Sequence, residues 1–302
     1  MKLLATLPSP HERSFFTVLA CPEVAEFRFN VGVRTPWSPR ETLERILDRC
    51  SHKPLWVDLK GRQLRIAQWA VPTYGDIVLN HEVEVTQPAT ILFRGGDESA
   101  IREVRGRRVF VDPPPRNAVG AGQAINIHAA TLVIHGYLTE EDEAYLDAAK
   151  DLGLTRFMLS FVEQQSDLDC VLQRIPGARL ALKIESPKGL DWVRREFDSR
   201  GGTARLVAAR DDLWLNIGQN KLQMLPALRL LVERDPTAIV ASRLLGSLER
   251  QPAPDMGDLA DLFLMHQLGF REFMLSDGVS RSAIEPSAAV WREFVRAIES
   301  PA

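Results

Sequence analysis

The chain has 302 residues, 45% hydrophobic and 25% charged, with a formal net charge of −3. That is enough for one large α/β domain, or a domain with an insertion, and the small charge predicts no overall attraction to nucleic acid or acidic membranes. Cys21, Cys50 and Cys170 are odd in number and far apart, so they imply neither a disulfide framework nor a metal spacing, and no apolar run approaches membrane-spanning length.

A soluble protein of the reducing cytoplasm is therefore expected, its first residues reading as a strand and not as a leader. Short apolar strands then alternate with amphipathic helical patterns, the signature of parallel βα units. A strand is predicted over Leu3 to Leu7 and another over Ala25 to Asn30. A helix follows from about Ser38 to Cys50, opening on Ser-Pro-Arg-Glu, a capping box with proline in the first turn. The third strand, Pro54 to Asp58, ends on an acid.

From about Val71 to Ile127 the helical period disappears. Short alternating runs, Ile77 to Val85 and Arg107 to Asp112, are separated by turn clusters such as Gly95-Gly96-Asp97 and Pro113-Pro114-Pro115. Residues 71–127 are read as a small all-β module inserted into a domain formed by 1–70 and 128–302. Its arginines (Arg94, Arg102, Arg105, Arg107, Arg108, Arg116) suit either a solvated surface balanced by Asp97, Glu98, Glu103 and Asp112, or a lid that closes over phosphates.

The βα rhythm returns at Leu138-Thr139-Glu140-Glu141-Asp142. Further strands are predicted at Arg156 to Ser160, Ala178 to Glu185, Ala204 to Ala209, Thr237 to Ala241 and Arg271 to Leu275. Eight strands with helices between them predict a (β/α)8 barrel. In such a barrel the C-terminal strand ends converge on one site. Here those ends carry Arg28 and Asn30, Asp58 and Lys60, Ser160, Lys183 and Glu185, Asp212, Ser242 and Ser276. Lys183 and Glu185 are two apart on a strand, so they share a face. A cation and a carboxylate placed together there can polarise an anionic substrate and hold a metal. A surface ion pair is the bland alternative, and the nearly complete polar ring argues against it. His128 and His135 are read as structural or exposed, and Trp192 and Trp291 as packing residues.

In this order the motifs resemble the pyruvate kinase family. The resemblance rests on Lys2 to Pro8, Phe27-Arg28-Phe29-Asn30, Asp58-Leu59-Lys60-Gly61-Arg62-Gln63-Leu64-Arg65, Ser160-Phe161-Val162 through Ser166-Asp167, and Lys183-Ile184-Glu185. It continues through Ala209-Arg210-Asp211-Asp212-Leu213, Ala241-Ser242-Arg243-Leu244-Leu245 and Met274-Leu275-Ser276. It implies a barrel of the phosphoenolpyruvate/pyruvate type with a reduced lid domain and without the family's C-terminal regulatory domain. It also implies Glu185 and Asp212 as ligands of Mg²⁺ or Mn²⁺, Lys183 as the cation that stabilises an enolate or a phosphoryl group in transit, and Arg28 as a phosphate contact. Ser242 stands where the family has a threonine beside the methylene carbon. Asn30, Asp58, Lys60, Arg65, Ala209, Arg210 and Asp211 fall on substrate- or nucleotide-binding positions.

The departures are specific. Gly32 and Leu59 replace two hydroxyl residues of the family's monovalent-cation site, so K⁺ dependence is not implied; Lys60, Arg62 or Arg34 could supply a fixed charge instead. Val33 replaces a histidine on the nucleotide side, Asp211 a glycine near the substrate carboxylate, and Asp277-Gly278 alters the family's Gly-Glu. Three functions follow. The first is phosphoryl transfer between phosphoenolpyruvate or pyruvate and a nucleotide such as ADP or ATP. The second is a metal-dependent lyase or aldolase acting on a 2-oxo acid, and the third a non-catalytic metabolite-binding relative. Small molecules are the expected partners, with neither nucleic acid nor membrane among them. Self-association is left open.

Overall fold

The computed structural model describes residues 1–50, 52–68, 76–93, 96–198 and 202–299. Eight parallel strands close into a barrel: β1 (Lys2–Thr6), β2 (Val24–Asn30), β3 (Leu55–Leu59), β4 (Arg156–Leu159), β5 (Arg179–Ile184), β6 (Ala204–Ala209), β7 (Ile239–Ala241) and β8 (Glu272–Met274). Each pairs with its neighbours in chain order. Closure is made by Lys2, Leu3 and Leu4 opposite Glu272, Phe273 and Met274. The chain is therefore a (β/α)8 barrel, as its βα rhythm predicts.

The crossovers follow from local chemistry. Helix α1 (Arg13–Ala20) leads to β2. Helix α2 (Pro39–Leu47) starts at a Ser38/Glu41 capping box with proline in its first turn. Helices α3 (Glu140–Asp151) and α4 (Gln165–Leu172) flank β4. After β5, Ser186 caps α5 (Pro187–Arg195) by accepting from the Gly189 N–H. Gly189 is required there, because a Cβ would stand 2.6 Å from the Val162 carbonyl oxygen. Helices α6 (Arg210–Asn216) and α7 (Met224–Arg234) return the chain to β7, and α8 (Met256–Leu268) returns it to β8. Helices α9 (Asp277–Ser282) and α10 (Ile284–Glu299) follow. Trp192 and Trp291 are buried, as packing residues should be.

Strand alternation sorts the barrel interior into three levels. Leu4, Trp56, Met158, Ala181, Val207 and Met274 belong to one apolar cluster in the middle. One step toward the strand starts, the same faces carry Lys2, Glu26, Arg205 and Glu272. One step toward the strand ends they carry Thr6, Arg28, Asp58, Ser160 and Lys183. The apolar middle separates two charged ends.

The chain divides into two compact units, Met1–Leu59 with Ala144–Ala302, and Lys60–Glu143. The second holds a five-stranded antiparallel sheet in the order Asp76–Val78, Arg108–Asp112, Glu98–Arg105, Thr90–Phe93, Ile125–His128. It also holds a ribbon of Val83–Glu84 with Val133–Ile134. It takes in residues on both sides of the 71–127 segment: Leu64 and Ile66 join its core, and Ile66 bridges to Leu79. The Ile77 to Val85 run is two strands, not one. Asn80 accepts from the Arg65 N–H and donates to the Gln63 carbonyl, and the His81 ring lies between the carbonyls of Gly61 and His135, so polar side chains break the ladder. His135 pairs with Glu84, and His128 is exposed at its strand end. Val71, Arg94 and Gly95 lie outside the described residues. Among the other arginines, Arg102, Arg105, Arg108 and Arg116 pair with Asp112, Glu103, Asp76 and Asp97, all in the same unit.

The charged level at the strand starts gives a stability prediction. Glu26 accepts from the Trp56 indole (2.6 Å) and faces Lys2 (3.4 Å) and Arg205 (3.5 Å). Burial alone would raise its carboxyl pKa, but the Trp56 N–H, Arg205 and Lys2 outweigh burial and lower it. A depressed carboxyl stabilises the fold above its unfolded pKa, and that contribution is lost as pH falls through the folded value. Urea denaturation of Glu26→Gln should show a loss of roughly 2 kcal/mol at pH 7. The difference from the parent chain should shrink as pH drops below about 4.

Candidate active site

Five strand-end residues of the barrel unit, Arg28, Asp58, Ser160, Lys183 and Glu185, form one connected cluster. Arg28, from β2, donates through Nε (2.6 Å) and Nη2 (2.5 Å) to Asp58 Oδ2 at the end of β3. Its Nη1 reaches Thr6 Oγ1 on β1 at 2.8 Å and Asp277 after β8 at 3.3 Å. Lys183, from β5, donates to Ser160 Oγ at 2.7 Å. Its ammonium stands 3.4 Å from Glu185 Oε1 and 3.6 Å from Asp58 Oδ2. The Ser160 hydroxyl donates to the Leu59 carbonyl at 2.8 Å, which leaves its oxygen as the acceptor for Lys183.

Glu185 is fully buried at the end of β5. Its Oε2 accepts from the Phe161 N–H at 2.7 Å, and Phe161 holds a left-handed φ of 52° to aim that N–H. Such a conformation costs about 1–2 kcal/mol for a non-glycine residue. Glu185 Oε1 accepts no hydrogen bond, and neither does the buried Asp58 Oδ1. Two carboxylate oxygens inside the site are thus left for an incoming donor or cation.

Burial raises the Glu185 carboxyl to about 7. Lys183 opposes the shift, Asp212 adds to it, and the Phe161 N–H opposes it. Asp212 is therefore close enough to be felt, from the first turn of α6. Asn216, one turn on, donates to the carbonyls of both Glu185 (3.2 Å) and Asp212 (2.8 Å), joining the end of β5 to α6. Burial lowers the Lys183 pKa, but Asp58 and Glu185 outweigh it and the net shift is upward. The Arg28 pKa is likewise raised, by Asp58 and Asp277 against burial. Both side chains are cations at neutral pH.

The other expected residues have different surroundings. Arg210 is buried and forks onto Asp261 of α8 (2.5 and 2.8 Å), also donating to the carbonyls of Ala241 and Ser242. It is a brace between β6, β7 and α8. Ala209 is buried at the end of β6. Asp211 pairs with Arg243, so its charge is matched locally. Ser242 and Arg243 both have left-handed φ, 71° and 59°. Asn30 accepts from the Gly32 N–H at 2.9 Å and donates to Asp277 at 3.4 Å. Lys60 and Arg65 belong to the second unit. Lys60 pairs there with Glu141, while Arg65 forks onto Gln63 and the Gly122 carbonyl. Arg62 of the same unit stacks over Tyr137.

Thr6, Asp261 and Asn216 take part without having been expected. Thr6 ends β1 and obeys the same strand-end rule as the others. Asp261 and Asn216 sit on helices, where no periodic signal separates a polar brace from a solvated residue.

The donor set fits a hard divalent cation in part: Glu185 offers a buried oxygen that accepts no hydrogen bond, and its carboxyl feels the charge of Asp212. Among the described residues, no group of three or more His, Cys, Asp or Glu side chains is arranged to hold a metal. Any such ion would draw its remaining ligands from substrate or water. No protein-family model matches the chain, and no curated protein matches it. No helix among the described residues is long and apolar enough to cross a membrane.

The raised Glu185 carboxyl gives the second prediction. Its proton is held more tightly in the folded chain than in the unfolded one, so its contribution is full below about pH 4.5 and is lost as pH rises toward 7. Glu185→Gln keeps an acceptor for the Phe161 N–H and removes the charge. In a chelator-containing buffer its thermal midpoint should exceed that of the parent at pH 8, by up to roughly 3 kcal/mol of stability. The two should converge at pH 5. A gain that does not depend on pH would contradict the assignment.

Proposed function

We propose that this barrel is a pyruvate kinase-like phosphotransferase, moving a phosphoryl group between phosphoenolpyruvate or pyruvate and a nucleotide with Mg²⁺ or Mn²⁺. The supporting observation is the Lys183 ammonium, buried beside Glu185 and Asp58 and oriented by Ser160. A preplaced cation of this kind stabilises charge that develops on an enolate or phosphoryl oxygen without having to reorganise. In this reading the barrel is of the phosphoenolpyruvate/pyruvate type, and the Lys60–Glu143 unit is an inserted domain comparable to that family's lid.

Each residue then has a defined task. Glu185 and Asp212 would hold the divalent ion, which supplies Lewis-acid polarisation of a 2-oxo acid. Lys183 meets the enolate oxygen or the phosphoryl group. Arg28 offers Nη1 toward an anion on the side where Asp277 now stands. Ser242 presents a hydroxyl near the end of β7, where a proton is delivered to the methylene carbon. A second reading, a metal-dependent lyase or aldolase on a 2-oxo acid, is favoured by one observation: Arg28 is already engaged by two carboxylates, which weakens its hold on a phosphate. Enolate chemistry would still have Lys183, Glu185 and Asp212.

A coupled assay for pyruvate release from phosphoenolpyruvate, with and without ADP, Mg²⁺ and Mn²⁺, separates the readings. Phosphotransfer requires release that depends on both ADP and the divalent ion. Lys183→Met should then lower kcat by roughly 10²–10³, as loss of a preorganised charge does, and Asp212→Asn should raise the Mn²⁺ concentration needed for half-activation. Cleavage of a 2-oxo acid without nucleotide would establish the lyase instead.

The monovalent-ion dependence provides a further check. Of the carboxylate and amide oxygens, Asp58 Oδ2 is held by Arg28 and Asn30 Oδ1 by the Gly32 N–H, which leaves Asp58 Oδ1, while Gly32 and Leu59 offer no side-chain oxygen. A bare K⁺ would find too few ligands to offset its dehydration. Kinase activity in a tetramethylammonium buffer should therefore change less than about twofold on adding K⁺. An activation of tenfold or more, about 1.4 kcal/mol of barrier, would refute the expectation.

A further inference from the structure

The level of side chains at the strand starts holds more charge than the group around Glu26. Arg156 opens β4 and Arg179 opens β5, each two residues before an interior-facing position, Met158 and Ala181. Alternation therefore turns both toward the mouth of the barrel. Arg156 lies there against Trp56, its guanidinium 5.5 Å from the ring centroid. Register sets Arg156 directly opposite Arg179, on strands that run about 4.8 Å apart.

The acids of this level are already engaged. Glu26 accepts from the Trp56 indole and faces Lys2 and Arg205, and Glu272 pairs with Lys2 and Arg205. Among the described residues, no carboxylate pairs with Arg156 or Arg179. The buried Arg205 Nε also donates to nothing. A single unpaired arginine on a surface is ordinary. Two facing each other across a sheet repel, and that arrangement is relieved by an anion between them.

We infer that the strand-start mouth of the barrel is a second ligand site, which takes a phosphate group of a small anion between Arg156 and Arg179. Each guanidinium presents a planar fork that suits two oxygens. Two forks ask for more oxygens than one carboxylate has, and a phosphate or diphosphate supplies them. Arg179 is exposed and Arg156 half-buried, so such an anion enters from solvent. Trp56, Met158 and Ala181 close the site on its inner side. Lys183 is four residues further along β5, about 13 Å away, so this site is separate from the cluster at the strand ends and does not depend on the reaction assigned there.

The test is titration calorimetry of the full chain with inorganic phosphate and with pyrophosphate, in a low-salt buffer containing a chelator. The parent should bind at least one of them in the millimolar range or tighter, and the tighter probe tells whether one phosphate group or two fill the site. Arg179→Gln should weaken that binding by about tenfold or more. Lys183→Met removes a cation from the far end of the barrel and should leave it intact. Melting curves give a second readout. Without phosphate, Arg179→Gln should melt no lower than the parent, because it loses no partner and relieves a like-charge contact. With saturating pyrophosphate the parent should become the more stable of the two. A parent that binds neither probe would overturn the inference, as would undiminished binding by Arg179→Gln or loss of binding in Lys183→Met alone. An Arg179→Gln chain that melts well below the parent without phosphate would equally refute it, since Arg179 would then hold a structural contact.

Discussion

The Asp58 carboxylate is what allows the charged end of the barrel to exist. Arg28 and Lys183 are both buried, and two cations in that position would repel each other and lose their hydration. Asp58 Oδ2 lies within 2.6 Å of Arg28 and 3.6 Å of Lys183, and so holds them in one cluster. Glu185 supplies the second negative charge, and burial pushes it toward its neutral form, so the balance near neutral pH is close. A site so balanced responds strongly to any further charge brought into it.

The supports of this cluster extend outward in both directions along the sheet. Ser160 joins Lys183 to the Leu59 carbonyl, and Phe161 turns its N–H toward Glu185 at the expense of a left-handed backbone. On the other side, Asn216 holds the carbonyls of Glu185 and Asp212, and Arg210 ties the start of α6 to α8 through Asp261. Strain at Phe161 falls next to the cluster, where surrounding contacts can over-determine an unfavourable φ. The Arg210 fork thus spans from the first turn of α6, which bears Asp212, to α8.

Much of this was legible because a barrel strand has a period of two. Arg28, Asp58, Lys183 and Glu185 could be placed on one face and at one end from spacing alone, and the structure puts Arg28, Asp58 and Lys183 in contact. The strands were legible for the same reason, since runs such as Leu206 to Ala209 are apolar on both faces. Less regular features were not. Ile77 to Val85 reads as one alternating strand, because periodicity does not register that Asn80 and His81 have better local hydrogen bonds to make. Arg210 reads as a substrate contact from its neighbours in the motif, but its partner, Asp261, is 51 residues away. Pairing across that separation leaves no trace in a local pattern.

Two acids, Asp211 and Asp277, stand where the resembling family has glycine, and their partners decide what they do to an anion. Asp211 pairs with Arg243, so its charge is largely cancelled before a substrate is considered. Asp277 is different, because its partner is Arg28. The Arg28–Asp58 bond is short and buried, while the Arg28–Asp277 contact is 3.3 Å long with Asp277 half exposed. Exposed, longer ion pairs contribute little stability, on the order of 0–1 kcal/mol. In the proposed reading, an anion at this site meets Asp277 as the weaker competitor for Arg28 and Asp58 as the stronger. Arg28 is therefore oriented by its buried partner Asp58, and its contact with Asp277 is the weaker of the two.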